Sequence, residues 1–197
     1  MDIGDVLIRT TPMRQYAEFE RITNVSAAEA ARSLEDSDLV VAYETGRLDT
    51  RGFVEAACRT MGVRPLPVGL FSQAWNVVIG DVEPVLVEAA ARLARCGKLV
   101  LASNANPMHW AEVRRRLAEA GVTAPALLSF RAGDRKPGLP FFQALADLDA
   151  RVPTRALFID DRDDNVEAAS GFGMTAFHHR DVTSTIAFLE RNLPGLW

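Results

Sequence analysis

One short stretch of this chain, residues 155–174, limits its fold more than any other. Residues 156–159 are a continuous apolar run, Ala-Leu-Phe-Ile, of the kind that forms a strand buried on both faces of a parallel sheet. Two adjacent carboxylates, Asp160 and Asp161, end that run, and a helical pattern begins near Asn165. This order predicts an α/β sheet with a ligand site at the carboxyl ends of its strands.

The paired acids at this strand end need a physical explanation, because two like charges side by side repel each other. A divalent cation between them is the usual reason for both carboxylates to stay ionised. The alternative is a polar turn in which Asp160 or Asp161 caps the following helix. A double acid in this position favours the cation site.

The same alternation of strand and helix recurs through the second half of the chain. Residues 98–104, 126–130 and 175–177 have strand patterns, and each of the first two is followed by an amphipathic helical pattern. A helical pattern at residues 182–193 ends the chain. Strands that alternate with helices predict a doubly wound parallel sheet.

Residues 13–83 instead predict a compact helical insertion. Met13, Tyr16, Phe19 and Ile22 are spaced by threes, as on one face of a helix, and the apolar residues at 71, 75, 78 and 79 form a second helical stripe. A capping box is also present, with its serine at position 26 and its glutamate at position 29. No convincing strand interrupts this block.

Composition excludes several classes of function. The chain has 197 residues, which suits one α/β domain with a modest insertion, and a net charge of −4 gives no basic surface for nucleic acid. No apolar run approaches the ~20 residues that span a bilayer, and no signal peptide precedes the first motif. Cys58 and Cys96 have no metal or redox spacing, so we expect buried thiols in a cytoplasmic protein without a membrane partner.

Four polar signals fall just after the ends of predicted strands: Asp2, Ser103, Lys136 and the acid pair at 160–161. In a doubly wound sheet these strand ends meet at one crevice. A carboxylate can attack phosphorus when a cation neutralises the oxygens that it approaches, and a hydroxyl and a lysine can hold the rest of the phosphoryl group. The four signals together therefore indicate phosphoryl transfer.

The order of these motifs resembles the haloacid dehalogenase (HAD) superfamily of aspartate-nucleophile hydrolases. Residues 2–7 are similar to its first motif, 101–104 to its second, 135–137 to its third and 158–165 to its fourth. The resemblance covers nearly the whole chain. The Asp-x-Gly start, the helical insertion and the Ser-Asn pair most resemble the small branch typified by α-D-glucose-1-phosphatase.

The resemblance implies a function and a set of roles. It implies a phosphatase that acts on a small phosphorylated metabolite, such as a sugar phosphate, with Asp2 as the nucleophile that forms an aspartyl-phosphate. Ser103, Asn104 and Lys136 would bind the substrate, and Ser103 and Lys136 would hold the phosphoryl oxygens.

The resemblance also implies a cofactor and a division into domains. Mg²⁺ would be held by Asp2, the backbone carbonyl of Gly4 and Asp161, with Asp160 binding directly or through water. Residues 1–12 and 84–197 would form a Rossmann-like core, and residues 13–83 would form a helical cap that closes over the substrate.

Gly4 departs from most phosphatases of this superfamily, in which a second aspartate at this position serves as the general acid and base. The glucose-1-phosphatase branch shares the glycine. A missing general acid forfeits ~10²–10⁴ in rate unless another group substitutes, and Asp5 is the nearest alternative, although a residue at that spacing usually points elsewhere. Two other functions stay open: a haloacid dehalogenase, whose nucleophile also lacks the second acid, and a catalytically silent binding protein.

The start of the chain is the second departure. Only Met1 precedes Asp2, whereas a central parallel strand normally has about five or six residues. We therefore expect an extension by a few apolar residues upstream to raise both the melting temperature and the activity.

Overall fold

A computed structural model describes residues 1–35, 37–148 and 152–195 of the chain. The strands are β1 Ile8–Thr10, β2 Ile79–Val82, β3 Leu101–Ser103, β4 Ala126–Leu128, β5 Leu157–Asp160 and β6 Thr175–His178. The helices are α1 Pro12–Thr23, α2 Ala27–Glu35, α3 Leu39–Glu44, α4 Thr50–Thr60, α5 Val68–Asn76, α6 Pro84–Arg95, α7 Pro107–Glu119, α8 Ser129–Ala132, α9 Leu139–Leu148, α10 Val152–Arg155, α11 Asp163–Gly171 and α12 Val182–Asn192.

The parallel part of the sheet is centred on the first three residues of the chain. Strand β3 pairs in parallel with β4, and β5 pairs in parallel with β6. Residues 1–3 lie between these two pairs, because the Asp2 amide donates to the Ile159 carbonyl at 2.9 Å and the Ala102 amide donates to the Met1 carbonyl at 3.0 Å. The spatial order is therefore β4, β3, residues 1–3, β5 and β6. This order brings Asp2 between the ends of β3 and β5.

Short strands and long helices divide the buried side chains into three groups. One apolar group lies between the sheet and α6, α7 and α12, and another lies between β5, α9 and α11. Helices α1 to α5 enclose a third group, to which α7 adds Met108, and this group is rich in aromatic rings such as Phe19, Phe53 and Phe71. The stacked and edge-on rings bury large apolar areas, so this helical part has its own hydrophobic core. No described helix is long and apolar enough to cross a membrane.

The prediction that residues 13–83 contain no strand is wrong, because β2 lies within them. Strands β1 and β2 form an antiparallel pair, in which Ile8 lies opposite Val82 and Thr10 opposite Ile79. Helix α5 ends at Asn76, so Ile79 belongs to β2 rather than to a helical stripe. In a Gly80→Ala substitution the new Cβ would lie 2.8 Å from the Arg9 carbonyl oxygen. The close approach of the two backbones therefore requires glycine here.

Three smaller predictions also need correction. Met13 is 68% exposed, so it does not share the buried face of Tyr16 and Phe19. Cys96 is exposed, whereas Cys58 is buried as expected. The third predicted strand ends at Leu128, and Ser129 begins α8. The capping box at residues 26–29 is present, because the side chains and backbone amides of Ser26 and Glu29 bind each other reciprocally.

Candidate functional site

A buried ammonium group lies at the centre of the site. Lys136 follows the short helix α8 and is 2% exposed. Its Nζ donates to Asp2 Oδ1 at 2.8 Å, to Asp160 Oδ2 at 2.5 Å and to the Ala102 carbonyl at 2.8 Å. These three bonds use all three hydrogens of the ammonium. Burial disfavours the charged form of Lys136, but the carboxylates of Asp2 and Asp160 outweigh it and leave the pKa of Lys136 raised.

The Asp160 carboxylate is completely enclosed. Its Oδ2 accepts from Lys136, and its Oδ1 accepts from Asn165 Nδ2 at 2.8 Å and from the Arg162 amide at 3.1 Å. Asn165 belongs to the first turn of α11, so the strand end and the start of the helix share one carboxylate. Asn165 Oδ1 is buried without a hydrogen-bond partner among the described residues. A buried acceptor of this kind is satisfied when a water molecule enters the site.

Three carboxylates converge next to this ammonium. One oxygen from each of Asp2, Asp160 and Asp161 lies within 4.8 Å of the others. Burial and the neighbouring charges of Asp2 and Asp160 raise the pKa of Asp161 to about 6. Burial also raises the pKa of Asp2, against the opposing effect of Lys136. The cluster therefore carries more negative charge than Lys136 alone balances.

The donor set of the cluster suits a hard divalent cation. Carboxylate oxygens are the ligands that Mg²⁺ prefers, and Mg²⁺ typically binds one or two carboxylates and keeps several waters. With all three acids ionised, the acids and Lys136 sum to a charge of −2, which one divalent cation would cancel. Asp2 and Asp161 retain oxygens outside the lysine bonds, whereas Asp160 has both oxygens engaged. The chemistry of the site thus fits a metal, with Asp160 the most occupied of the three acids.

The Asn104 side chain binds the backbone of Lys136. Its Nδ2 donates to the Lys136 carbonyl at 2.9 Å, and its Oδ1 accepts from the Lys136 amide at 2.8 Å. This two-way bond between positions far apart in the chain fixes the backbone that carries the ammonium. Ser103 precedes it on the end of β3, and its hydroxyl is bound only to the Asn104 carbonyl, at 3.3 Å, among the described residues. Its donor is therefore easily redirected to a ligand.

Neither Gly4 nor Asp5 places a free acid beside Asp2. Asp5 has a positive φ of 51°, and its carboxylate accepts from the Thr10 amide at 2.8 Å and from the Thr10 hydroxyl at 2.6 Å. These bonds hold the carboxylate in the turn before β1. The structure thus leaves the position of the usual second acid without a carboxyl group from this loop.

A cavity of about 230 Å³ lies next to residues that neighbour the cluster: Ile3 and Gly4, which follow Asp2, and Asn104, which binds the Lys136 backbone, line it, whereas the four cluster residues do not. Its polar lining comes from several elements, and the remaining lining is apolar. The polar residues are Thr10, Glu44, Ser103, Asn104 and His109; the others are Ile3, Gly4, Ile8, Val78, Ile79, Ala105, Trp110 and Val113. Both sides of the fold contribute, since Glu44 ends α3 and Ser103 ends β3.

His109 joins the helical part to the core at the wall of this cavity. Asn106 caps α7 by accepting the His109 amide at its Oδ1, so its NH₂ group faces His109 Nδ1 at 3.0 Å. Nδ1 must therefore accept, and the hydrogen on Nε2 points to the Trp75 carbonyl at 3.2 Å. The imidazole also stacks on the Trp75 ring, with centroids 5.2 Å apart. Burial lowers the pKa of His109 to about 4, so the ring is neutral.

Sequence reasoning named the acids and the lysine of the cluster but missed several residues that shape the site. Glu44 and His109 do not lie in any of the four motifs. Ser129 was assigned to a strand, whereas its hydroxyl accepts from the Ala105 amide and donates to the Ala105 carbonyl. The one available signal was the Arg-Lys-Pro motif, since Arg135 pairs with Glu44 at 2.9 Å.

Comparison with known proteins supports one fold. No protein-family model matches the chain. A HAD family enzyme from Bacteroides thetaiotaomicron has a TM-score of 0.81 and 22% sequence identity over 94% of this chain and 95% of its own. A HAD-like family hydrolase from Porphyromonas gingivalis has a TM-score of 0.80 and 22% identity over 98% and 95% of the two chains.

Two further structures bear on chemistry. The Bacteroides enzyme is also known in complex with magnesium and inorganic phosphate, with a TM-score of 0.80. An L-2-haloacid dehalogenase from Xanthobacter autotrophicus is more distant, with a TM-score of 0.59 and 20% identity over 98% of this chain and 81% of its own. The chain therefore has the α/β fold of the haloacid dehalogenase superfamily.

Proposed function

We propose that this protein is a Mg²⁺-dependent phosphatase of the HAD type, acting on a small phosphorylated metabolite through an aspartyl-phosphate on Asp2. The observation that carries the proposal is the buried cluster in which Lys136 binds both Asp2 and Asp160 while Asp161 lies alongside. A cluster of three acids around one ammonium suits a substrate that brings its own negative charge together with a metal. The magnesium and phosphate bound by the Bacteroides enzyme support the same chemistry.

Asp2 is the proposed nucleophile because it is the cluster acid with one oxygen fixed and the other available. Lys136 holds Oδ1, which keeps the carboxylate ionised and orients Oδ2. Attack of Oδ2 on phosphorus forms the aspartyl-phosphate and breaks the bond from phosphorus to the leaving oxygen, which takes a proton from water and departs as the alcohol. Water then attacks phosphorus, releases inorganic phosphate and restores the Asp2 carboxylate.

The other residues bind and orient. Asp2, Asp161 and the Gly4 carbonyl would hold Mg²⁺, with Asp160 direct or through water; the ion would neutralise phosphoryl oxygens. Ser103 would donate its hydroxyl to a phosphoryl oxygen. All three Lys136 hydrogens are engaged, so we assign Lys136 mainly the role of a fixed positive charge. Asn104 would act by holding the Lys136 backbone.

The proposal also assigns the two parts of the chain. Residues 1–12 and 84–197 would be the core, and residues 13–83 the cap. The apolar group enclosed by α1 to α5, to which α7 adds Met108, supports this division. We place the reaction in the cytoplasm, with a small phosphorylated substrate, such as a sugar phosphate, and without nucleic acid or membrane as a partner.

A dehalogenase is the second candidate, because the Xanthobacter enzyme shares the fold and Gly4 leaves no second acid. The site argues against it. A metal-free reaction on an anionic 2-haloacid gains nothing from the extra negative charge of Asp161. The cavity lining also includes no lysine or arginine, within the described part of the chain, to receive the substrate carboxylate.

The test is phosphate release from a panel of phosphorylated metabolites, with Mg²⁺ and with a chelator. We expect Mg²⁺-dependent turnover that Asp2→Asn abolishes, together with the covalent phosphoryl adduct seen by mass spectrometry. Lys136→Ala should also be severe, since it removes the only cation bound to the cluster among the described residues. Wild-type turnover in Asp2→Asn would show that the nucleophile is another residue, and chloride release from 2-chloropropionate without phosphatase activity would favour the dehalogenase.

A further inference from the structure

The cavity beside the cluster receives a single carboxylate from the helical part of the chain. Glu44, the last residue of α3, lines it together with Gly4, Ser103 and Asn104. Its side chain is only 16% exposed. Of the described residues that line the cavity, Glu44 is the one acid, and none is lysine or arginine. A leaving group in this cavity would therefore meet one fixed negative charge.

Three contacts hold the end of α3 against the core. The Tyr43 hydroxyl accepts from the Met108 amide at 3.3 Å, at the start of α7. The turn after α3 lies on the backbone of α8, because a Cβ at Gly46 would be 2.4 Å from the Phe130 carbonyl oxygen. Arg135 Nη1 lies 2.9 Å from Glu44 Oε2. Glu44 is thus positioned by packing on both sides, unlike a solvated surface acid.

The charge on Glu44 is kept by its partner. Burial raises the pKa of Glu44, and the Arg135 guanidinium opposes that rise. Arg135 is not part of the cavity lining, so it neutralises the acid from outside the cavity. From the cavity, Glu44 offers hydrogen-bond acceptors and negative potential, whereas the apolar lining offers contact for carbon atoms.

We propose that Glu44 determines the class of leaving group: it accepts hydrogen bonds from the hydroxyls of a neutral alcohol and repels leaving groups that carry a carboxylate. This inference rests on the proposed phosphatase function and names its substrate class, a small polyol or sugar phosphate. A cavity of about 230 Å³ lies below the ~300–1,000 Å³ of pockets for drug-sized ligands, which suits a small leaving group.

The experiment compares two esters that differ mainly in one group. Glycerol 3-phosphate carries a terminal hydroxymethyl where 3-phosphoglycerate carries a carboxylate. The measured quantity is the ratio of kcat/KM for the first ester to that for the second. We expect the wild-type protein to prefer glycerol 3-phosphate, and Glu44→Gln to lower the ratio at least about tenfold, equivalent to ~1.4 kcal/mol.

Matched variants separate the charge of Glu44 from that of its partner. Arg135→Gln should also lower the ratio, because burial without the guanidinium favours the neutral, protonated form of Glu44. The double variant Glu44→Gln/Arg135→Gln should also lower the kcat/KM ratio. Because it has no guanidinium at position 135, that result would show that the change in Glu44→Gln does not come from an unpaired Arg135. Glu55→Gln alters an exposed ion pair with Arg51 away from the cavity and should leave the ratio unchanged. A ratio that stays the same in Glu44→Gln and Arg135→Gln, with melting temperatures near wild type, would overturn the inference.

A binding measurement keeps this result distinct from the proposed function. Isothermal titration calorimetry on Mg²⁺-loaded Asp2→Asn gives the ratio of Kd values for the same two esters without turnover. If the wild-type protein releases no phosphate but Glu44→Gln still shifts the Kd ratio, the phosphatase proposal fails and the selection by charge stands. If phosphate is released and neither ratio responds to Glu44, only the inference fails. Absence of both turnover and binding overturns both.

Discussion

The neutral imidazole of His109 gives a pH dependence that can be worked out from the structure. Its Nδ1 accepts from the Asn106 NH₂ group and its Nε2 donates to the Trp75 carbonyl, so the folded protein has no acceptor for a second hydrogen among the described neighbours. Protonation would set an N–H against the Asn106 NH₂ group. It would loosen the contact between α7 and α5, which is one of the contacts that join the helical part to the core.

The sign follows from the direction of the pKa change. The pKa of His109 falls from 6.5 to about 4 on folding, so the unfolded chain binds more protons between these values. The stabilisation is complete above pH 6.5 and is lost as the pH falls toward 4. A difference of about 2.5 pKa units at ~1.36 kcal/mol each gives ~3.4 kcal/mol. His109 is only partly buried, so we expect ~2 kcal/mol, a large part of a total of ~5–15 kcal/mol.

The assay is urea unfolding of the wild-type protein and His109→Gln from pH 7.5 to 4.5. The carboxylates titrate in both proteins, so the difference in unfolding free energy isolates His109, and it should shrink by ~2 kcal/mol toward low pH. Asn106→Asp is a matched control: it keeps the helix cap and offers Nδ1 an acceptor, so the pKa of His109 measured by NMR should rise. Parallel pH profiles for the wild-type protein and His109→Gln would refute the assignment of a neutral, Nε2-protonated ring.

Three further predictions concern the cluster. Lys136→Met leaves two acids buried without their cation and should cost ~3–5 kcal/mol in urea unfolding without Mg²⁺; an unchanged stability would contradict the network. Asp161→Asn removes a like charge and should raise the melting temperature without Mg²⁺ while weakening Mg²⁺ binding by calorimetry at least ~10-fold. A Cβ added at Gly4 would make an ordinary contact, 3.6 Å from Thr10 Cγ2. Gly4→Asp should speed the hydrolysis of alkyl phosphate esters by up to ~10²-fold but that of aryl esters little; equal gains for both would argue against a missing acid.

The sequence predicted the centre of the site because parallel strands bring their carboxyl ends together. Ser103 and the acid pair each follow a buried apolar run, and this local pattern is enough to place them at one edge of the sheet. Lys136 follows from the same argument. Asp2 has only Met1 before it, so its place was predicted from the resemblance of residues 2–7 to the first HAD motif. The order of the strands therefore determines which residues meet at the site. The distances of 2.5–2.8 Å from Lys136 Nζ to Asp2 and Asp160 depend on local side-chain packing.

The residues that sequence reasoning missed depend on contacts between distant segments. Strands β1 and β2 have three and four residues and are about seventy positions apart, so neither shows a pattern that exceeds its helical neighbours. The role of Asn104 requires the backbone of a loop that comes about thirty residues later. Glu44 resembles any acid at a helix end until its pairing with Arg135 places it at the cavity.

Two adjacent residues connect the chemical centre with the wall of the cavity. Lys136 points into the acid cluster, and Arg135 pairs with Glu44 of the helical part. Asn104 fixes the backbone between them through both the amide and the carbonyl of Lys136. The segment that binds Asp2, the proposed nucleophile, therefore also binds Glu44, the acid proposed to face the leaving group, so the two proposed roles share one structural support.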